Sequence, residues 1–156
     1  MNPWLQIILL SIVPAIELRG SIPLAFYHGL DPYLSGILIV IVNSLATIIT
    51  FLFLDFFHVY MMKFNFYKKT FDAFMERTRH KAEKTIAKYG YLGLAIFVAV
   101  PLPGTGAYTG ALAAWFFNMD RWKAFWSIAF GVLIAGIIVT VIISAGIKGF
   151  DIFVGK

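Results

Sequence analysis

The chain has 156 residues, of which 60% are hydrophobic and only 13% are charged, and its formal net charge is +5. Its mean hydropathy of +0.83 and its low charged fraction together exclude an ordinary soluble domain, because about 25% of the residues in such a domain are charged. The absence of cysteine from the sequence excludes disulfides, thiolate metal sites and thiol redox chemistry. We therefore expect an all-α, multi-pass integral protein of the cell membrane.

The first predicted element is an apolar run at residues 4–13, which ends in the interruption Pro14-Ala15-Ile16-Glu17-Leu18-Arg19-Gly20-Ser21-Ile22-Pro23. No Lys or Arg precedes the run and no small-residue cleavage site follows it, so we do not expect a removable signal peptide. Unpaired peptide groups in hydrocarbon cost several kcal/mol each, and broken backbone at membrane depth therefore needs cover from protein or a wet cavity. We expect residues 3–29 to form a re-entrant hairpin.

A long apolar stretch follows. Residues 34–54 contain no Asp, Glu, Lys or Arg, and about 20 residues are enough for a helix to cross the hydrocarbon. This predicts a span at 34–57, which completes a first repeat at 1–57. Asn43 and Thr47 lie near one face of the span, and a small, hydroxylated face favours close helix packing. The alternative role for these two residues is to line a transport pathway.

The central segment carries most of the positive charge. Eight of the 13 Lys and Arg residues fall within 63–88, against three acidic residues. Because Lys and Arg near spans stay on the cytoplasmic side, residues 58–90 are predicted to be cytoplasmic. Phe64, Phe71 and Met75 alternate with these charges, which indicates an amphipathic helix on the inner surface, in contact with anionic lipid headgroups. No nucleic-acid module is present, so no nucleic-acid partner is expected.

The second half repeats the block order of the first. An apolar run leads to the interruption Pro101-Leu102-Pro103-Gly104-Thr105-Gly106-Ala107-Tyr108-Thr109-Gly110, then to a short apolar stretch, a polar turn and a long span. This predicts a second repeat at 91–148, with a hairpin at 91–117 and a span at 124–147. Thr140, on the second span, is a third candidate for lining a pathway.

Two topologies fit this plan. If both interrupted segments are hairpins, each half crosses the membrane once and the halves have opposite orientation, as in the inverted repeats of many transporters. If both segments span fully, the halves are parallel. Counting loop charges does not separate the two. We favour hairpins, because Glu17 and Arg19 would otherwise lie near mid-depth on a helix facing lipid.

Glu17 and Arg19 are the only charged residues before position 28. A low dielectric disfavours the charged form of a carboxyl group, so Glu17 is a candidate for proton coupling. Arg19 offers five donors in a planar fork, which suits a phosphate or carboxylate on a substrate. The alternative is a structural role, either as an internal Glu17–Arg19 salt bridge or as separate bonds to freed backbone groups.

The second interruption presents backbone amides where a new helix would start near Ala107. Helix N-termini attract anions, so this turn is a candidate for binding an anionic group. The alternative is a tight turn that packs on the other hairpin. The predicted substrate-binding residues are Arg19, Gly20, Pro23, Pro103, Gly104, Thr105, Gly106 and Tyr108. The scattered histidines make no metal cluster, no cofactor motif is present, and no histidine lies beside a nucleophile, so we do not expect an enzyme.

The stretches Glu17–Pro23 and Pro101–Gly110 resemble the corresponding motifs of the small multidrug export protein family. The resemblance to this family covers nearly the whole sequence. That family is similar to the DedA superfamily, whose members are associated with two re-entrant hairpins in an inverted repeat and with proton-dependent handling of lipids such as polyprenyl phosphates. The resemblance implies that Glu17 and Arg19 are the acidic and basic hairpin residues. The second interruption departs from the DedA pattern, since it has neither a carboxylate nor an arginine.

These observations favour a proton-coupled transporter of an anionic lipid or lipid phosphate, with membrane lipid as its partner. Two predicted spans give little protein to shield a site, so a homodimer is expected. One alternative is a proton-coupled exporter of small cationic or amphipathic drugs, in which Arg19 is structural. Another is a membrane scaffold that transports nothing.

Overall fold

A computed structural model describes residues 2–14, 16–102 and 104–154 of the chain. These residues form helices and turns, with no strand among them, so the predicted all-α class is confirmed. The helices are α1 Pro3–Ile12, α2 Glu17–Tyr27, α3 Pro32–Leu52, α4 His58–Met61, α5 Asn65–Ala99, α6 Ala107–Phe116 and α7 Arg121–Val154, and a π-helical turn at Phe53–Phe57 joins α3 to α4.

Polar side chains set where α1, α3 and α7 begin. The Asn2 side chain accepts a hydrogen bond from the amide of Trp4 (3.0 Å), and Asp31 accepts one from the amide of Leu34 (2.8 Å). Each of these caps is followed by a proline in the first turn, where the missing N–H costs nothing. Asp120 caps α7 in the same way, through the amide of Lys123 (2.9 Å).

The helices α1 and α2 form an antiparallel pair, the first helix pair. Gln6, near the start of α1, lies 2.8 Å from the ring nitrogen Nε2 of His28, just after α2 ends. Closer to the connection, the hydroxyls of Ser11 and Ser21 are 2.9 Å apart. The chain therefore reverses direction between α1 and α2, and we call residues 13–14 and 16–19, at this reversal and the start of α2, the first tip.

The helix α5 bends sharply at Gly90, whose φ of 56° and ψ of −126° are not helical. The bend divides α5 into a basic arm (65–89) and a return arm (91–99). A Cβ atom at Gly93 would overlap the carbonyl of Thr85, so glycine lets the two arms lie against each other. Thr78, Ala82 and Ile86 are buried, and the basic arm thus shares the apolar core.

The return arm and α6 form the second helix pair, which is also antiparallel. The amide of Asp120, beyond α6, donates to the hydroxyl of Tyr91 at the start of the return arm (3.1 Å). Near the other end, Gly110 packs so closely on Val98 that a Cβ atom there would clash. The chain reverses between the return arm and α6, and we call residues 100–102 and 104–108, at this reversal and the start of α6, the second tip.

The two long helices α3 and α7 also run antiparallel. Arg121 at the start of α7 pairs with Asp55, in the π-helical turn after α3, at 2.9 Å. At the opposite end Tyr33 and Ser144 line one shared groove. The stretches Pro32–Phe57 and Arg121–Gly146 are each long and apolar enough to cross a membrane.

Both long helices carry apolar side chains on their outer faces. Ile37 is 60% exposed and Val141 is also 60% exposed, and many neighbouring residues are similarly open. Continuous exposed apolar surface is unfavourable in water and natural in lipid, so these faces fit a membrane protein. The span predicted at 34–57 runs through α3 and the π-helical turn, and the one predicted at 124–147 lies within α7. The re-entry of the helix pairs, the inverted repeat and the cytoplasmic position of residues 58–90 stay predictions.

The sequence predicts that the apolar side chains of the basic segment face lipid, but some of them are buried inside the protein. Phe64 and Phe74 are 63% and 42% exposed, whereas Met75 and Ile86 are buried. Met75 packs with Leu112 of α6 and with Leu54 of the π-helical turn. Part of the amphipathic surface therefore packs against the protein itself, while Phe74 on the arm and Phe64 just before it remain exposed.

Candidate functional site

The two tips meet, and Glu17 lies at their contact. It is the first residue of α2 and only 5% exposed. Its φ of 48° puts a non-glycine residue in the left-handed region, a conformation that costs about 1–3 kcal/mol and persists only where the surroundings impose it. This backbone conformation presents the carboxylate to the second tip.

The Glu17 carboxylate caps the N-terminus of α6. Its Oε2 accepts a hydrogen bond from the amide of Ala107 (3.1 Å) and its Oε1 accepts one from the amide of Tyr108 (3.3 Å). These amides have no partner within α6, and the helix dipole adds a favourable interaction with a negative charge of about 0.3–2 kcal/mol. The first helix pair therefore supplies the anion that the N-terminus of α6 attracts.

Gly106 makes this contact sterically feasible. It has a φ of 144°, and a Cβ atom built on it would overlap the carboxylate of Glu17. Only glycine combines that conformation with so close an approach. The Pro/Gly composition of the second interruption thus has a specific reason at this position.

Arg19 makes the second link between the tips. Its Nη2 donates to the carbonyl oxygen of Thr105 and to the Thr105 hydroxyl, the latter at 2.7 Å. The same hydroxyl lies within hydrogen-bond distance of the carbonyls of Val100 (2.6 Å) and Leu102 (2.8 Å). Thr105 therefore folds the second tip on itself and offers the folded tip to Arg19.

Tyr108 and two serines complete the contact. The Tyr108 hydroxyl donates to the carbonyl of Ile12, at the end of α1, where no helical partner remains. Within the first helix pair, the Ser21 hydroxyl donates to the carbonyl of Glu17 (2.9 Å) and contacts Ser11. Ser11 and Ser21 are fully buried, so this link holds the strained backbone of Glu17 in place.

Glu17 and Arg19 do not form an ion pair with each other. In the part of the chain that the structure describes, the ion pairs are Arg79–Glu83, His80–Glu76 and Arg121–Asp55. Each residue instead reaches across to polar groups of the second tip. Of the two structural alternatives considered for Glu17 and Arg19, the geometry matches separate bonds and not an internal salt bridge.

The other predicted binding residues are spread more widely. Gly20 packs on the Ile16 side chain of its own helix pair, and Pro23 is exposed on α2. Gly104, with a φ of 81°, lies on the outer side of the second tip beside the ammonium group of Lys81. Pro103 lies outside the described residues. The structure thus brings Glu17, Arg19, Thr105, Gly106 and Tyr108 together and leaves Gly20 and Pro23 apart.

The three pathway candidates lie in two places. Asn43 and Thr47 are fully buried on α3, and the oxygens Asn43 Oδ1 and Thr47 Oγ1 have no hydrogen-bond partner among the residues that the structure describes. Thr140 lines a groove of about 670 Å³ between α3 and α7, with Gly36 and Gly136.

Two residues near the site were not predicted as part of it. Ser11 lies in an apolar run without any signal that marks it, since a lone serine is common on a membrane helix face. Lys81 belongs to the basic segment and was assigned to lipid contact as one of eight similar charges. Across the described residues, no group of three or more His, Asp or Glu side chains is placed to hold a metal ion.

The chain was compared with models of protein families. The family model described as Putative small multi-drug export protein matches residues 17–138, which begin at Glu17 and include Arg19 and the whole second tip. No curated protein and no solved structure matches the chain. Because the matched segment is most of the chain and contains the residues that carry the resemblance seen in the sequence, the chain belongs to the Putative small multi-drug export protein family.

Proposed function

We propose that this protein is a small proton-coupled membrane transporter that moves an anionic lipid or lipid phosphate of polyprenyl-phosphate type across the bilayer. The family description names export, and the two long apolar helices support a place in the membrane. One observation carries the rest of the proposal. A buried carboxylate from one helix pair occupies the anion-binding N-terminus of a helix in the other pair.

The proposal includes an inverted arrangement in which both helix pairs re-enter the membrane from opposite sides. Its support is directional. The open end of the first pair leads into the start of α3, while the open end of the second pair lies at the start of α7, beside Asp55. Since α3 and α7 run antiparallel, these two ends belong to opposite faces of the molecule. Solvent accessibility of cysteines placed along 14–23 and 101–110, measured from each face, tests this arrangement.

The proposed cycle is an exchange of anions at the N-terminus of α6. Ionised Glu17 holds the amides of Ala107 and Tyr108 and so keeps the tips together. Protonation removes the charge that these amides attract, which releases the carboxyl group. The phosphate of a substrate then accepts from the same amides and from Arg19, and deprotonation of Glu17 expels it. The Glu17 carboxylate and the phosphate of the substrate thus compete for one set of donors.

A lipid is the favoured cargo because the surroundings of the tips are apolar on the outside. Leu102, in the second tip, is 58% exposed, and Ile12 and Val13 beside the first tip are 43% and 41% exposed. A substrate with a hydrocarbon tail can reach the tips along such surface without leaving lipid. The basic arm, with its exposed Lys and Arg residues, is proposed to face the cytoplasm and to contact the anionic headgroups of the surrounding bilayer, which a neutral detergent lacks.

The test is transport by the purified full chain in vesicles, with a fluorescent polyprenyl phosphate and an imposed pH gradient. Glu17→Gln keeps the size of the side chain but cannot carry the charge, and we expect it to abolish the dependence of transport on the gradient. Glu76→Gln removes an exposed acid from the basic arm and serves as the matched control. Proton-dependent transport that persists in both Glu17→Gln and Glu17→Ala would contradict the mechanism.

A second function is favoured by the bonds of Arg19. Because Nη2 of Arg19 donates to Thr105, the role of Arg19 in this second function is structural. Glu17 alone would then exchange a proton for a cationic or amphipathic drug. Retained transport in Arg19→Gln combined with loss in Glu17→Gln would favour this exporter. Loss in both variants favours the lipid phosphate. No transport of either cargo, beside a working positive control, would leave a membrane scaffold.

We also propose a homodimer. The groove between α3 and α7 is lined by Gly36, Gly136, Thr140 and Ser144, and small residues of this kind allow close approach of a second membrane helix. Gly136→Leu would fill the groove. Loss of the dimer in this variant, measured by single-molecule photobleaching in nanodiscs, is the expected result, and an unchanged distribution would contradict the interface.

A further inference from the structure

The structure contains a second cavity of about 540 Å³, which borders the second tip. Its walls come from the basic arm, the return arm and the second tip itself. The lining residues are Lys81, Thr85, Ile96, Phe97, Val100, Leu102 and Thr105. Apart from one ammonium group and two hydroxyl-bearing residues, these walls are apolar.

We infer that this cavity is the entry site for the lipid phosphate, with Lys81 as the residue that first binds the phosphate group. This inference rests on the proposed function and deepens it, since it adds a residue and a route that the tip contact does not provide. No other cationic side chain lines this cavity among the described residues.

The position of Lys81 is the first support. Its Nζ lies 3.0 Å from the point where a Cβ atom of Gly104 would be, so the ammonium group lies directly over the second tip. Gly104 has no side chain to cover it and has a φ of 81°, which a side chain would strain. The glycine therefore leaves room for the ammonium group beside the tip.

The second support is that Thr105 belongs both to this cavity and to the contact between the two tips. Thr105 lines the cavity on one side and accepts hydrogen bonds from Arg19 on the other. A phosphate held by Lys81 would thus be separated from the guanidinium of Arg19 by a single residue of the second tip. When Glu17 releases the second tip, the phosphate can pass from the ammonium group to the guanidinium. Its negative charge then stays beside a cation and does not enter lipid unpaired.

The apolar walls select a lipid over free phosphate. Ile96, Val100 and Leu102 are 42%, 41% and 58% exposed, and together they form a surface that continues from the cavity outward. Inorganic phosphate gains nothing from such walls, whereas an alkyl or prenyl chain gains about 25 cal/mol per Å² of apolar surface that it buries. A ligand that uses both features therefore carries a phosphate group, which pairs with Lys81, and a hydrocarbon chain, which is buried along these apolar residues.

The test is binding of dodecyl phosphate to the purified full chain in a neutral detergent, measured by native mass spectrometry. Lys81→Gln should weaken binding about tenfold, since it removes a charge-assisted contact to phosphate, and Lys81→Arg should restore it to within about twofold. Lys84→Gln is the matched control. It removes the same charge from the same arm at an exposed position outside the cavity, and binding should stay within about twofold of the wild type.

A cavity-filling variant tests the apolar part separately. Ile96→Trp places an indole at the rim, where Ile96 is 42% exposed, and should weaken dodecyl phosphate binding about tenfold without affecting Lys81. Normal binding by Lys81→Gln, or equal losses in Lys81→Gln and Lys84→Gln, would overturn the inference. Binding of inorganic phosphate with the same affinity would overturn the assignment to a lipid.

The outcome is separable from that of the proposed function, because binding in detergent requires neither a pH gradient nor transport. If Glu17→Gln loses proton-dependent transport while Lys81→Gln binds dodecyl phosphate normally, only the entry site fails. If Lys81→Gln loses binding while Glu17→Gln transports normally, only the proton-coupled mechanism fails.

Discussion

The carboxylate of Glu17 occupies the space where a side chain of Gly106 would have to be. The two residues are far apart in the sequence and belong to different helix pairs, yet a change at either position alone disrupts the contact between the pairs. A longer side chain at 106 removes the carboxylate from the amides of Ala107 and Tyr108, and a shorter one at 17 leaves those amides uncapped.

Gly106→Ala should therefore destabilise the protein by about 2–4 kcal/mol, because it combines a conformation unfavourable for alanine with the loss of two hydrogen bonds to a charged group. Thermal unfolding in detergent measures the loss. Gly146→Ala is the control, since Gly146 is in a helix with nothing within 4 Å of its Cβ position, and alanine there should be neutral or slightly stabilising. Equal melting temperatures for Gly106→Ala and the wild type would refute the tight contact.

The pair Asp55 and Arg121 predicts a cross-link. The two side chains are 39% and 37% exposed, so the ion pair itself contributes only about 0–1 kcal/mol, but it fixes which ends of α3 and α7 are neighbours. The chain has no cysteine, so an engineered pair is unambiguous. Cysteines at 55 and 121 should react together with a short bis-maleimide, seen as a mobility shift on a denaturing gel.

The control for this cross-link is a pair at opposite ends of the long helices, with cysteines at 33 and 121. It should label at both sites without an intramolecular link. A link in the control pair, or none at 55 and 121, would mean that α3 and α7 are not antiparallel, and the inverted arrangement would lose its main support.

Sequence patterns were sufficient for the parts of this fold that depend on local chemistry. Stretches without charge predict α3 and α7, and the clusters of proline and glycine predict the two tips, because each of these follows from the cost of placing charges or broken helices in lipid. The boundary placed at residue 90 coincides with the bend at Gly90. The π-helical turn at Phe53–Phe57 has no comparable signal.

The partners of Glu17 and Arg19 could not be read from the sequence. Proximity along the chain suggests that they pair with each other, and the geometry gives them different targets in the second tip instead. The choice depends on the left-handed backbone of Glu17 and on the space at Gly106, both of which result from how the helix pairs pack. The face of the basic arm was also hard to predict, since Lys81 differs from its neighbours only in what packs beside it.

His58 predicts a dependence of stability on pH. Its ring packs on Phe71 of the basic arm (centroids 4.2 Å apart) and on Trp115 of α6 (5.2 Å), and its Nδ1 lies 3.2 Å from the Tyr67 hydroxyl. Burial lowers the pKa of His58 from the ordinary value of 6.5, and the charge of Asp72 opposes this shift in part. The folded protein therefore binds this proton less readily than the unfolded chain.

Stability from His58 is consequently complete above about pH 6.5 and falls as the pH drops below that value. We expect the melting temperature of the wild type to decrease between pH 7 and pH 5, and His58→Phe to show a smaller decrease. His80→Gln is the control, since His80 is exposed and paired only with Glu76. The prediction fails if His58→Phe and the wild type lose the same number of degrees over this range.

Thr47 separates a packing role for the polar face of α3 from a pathway role. Its hydroxyl is fully buried and has no hydrogen-bond partner in the described part of the chain, and the same holds for Oδ1 of Asn43 one turn away. A buried polar group without a partner costs about 1–3 kcal/mol, so Thr47→Val, which keeps the shape and removes the hydroxyl, should be neutral or stabilising. Thr109→Val is the comparison, because the Thr109 hydroxyl donates to the carbonyl of Gly106 (3.2 Å) and its removal should destabilise. Raised stability with unchanged transport in Thr47→Val assigns this face to helix packing. Raised stability with lost transport assigns it to the pathway, since a hydroxyl retained at a cost in folding free energy must then act on the substrate or on the water that accompanies it.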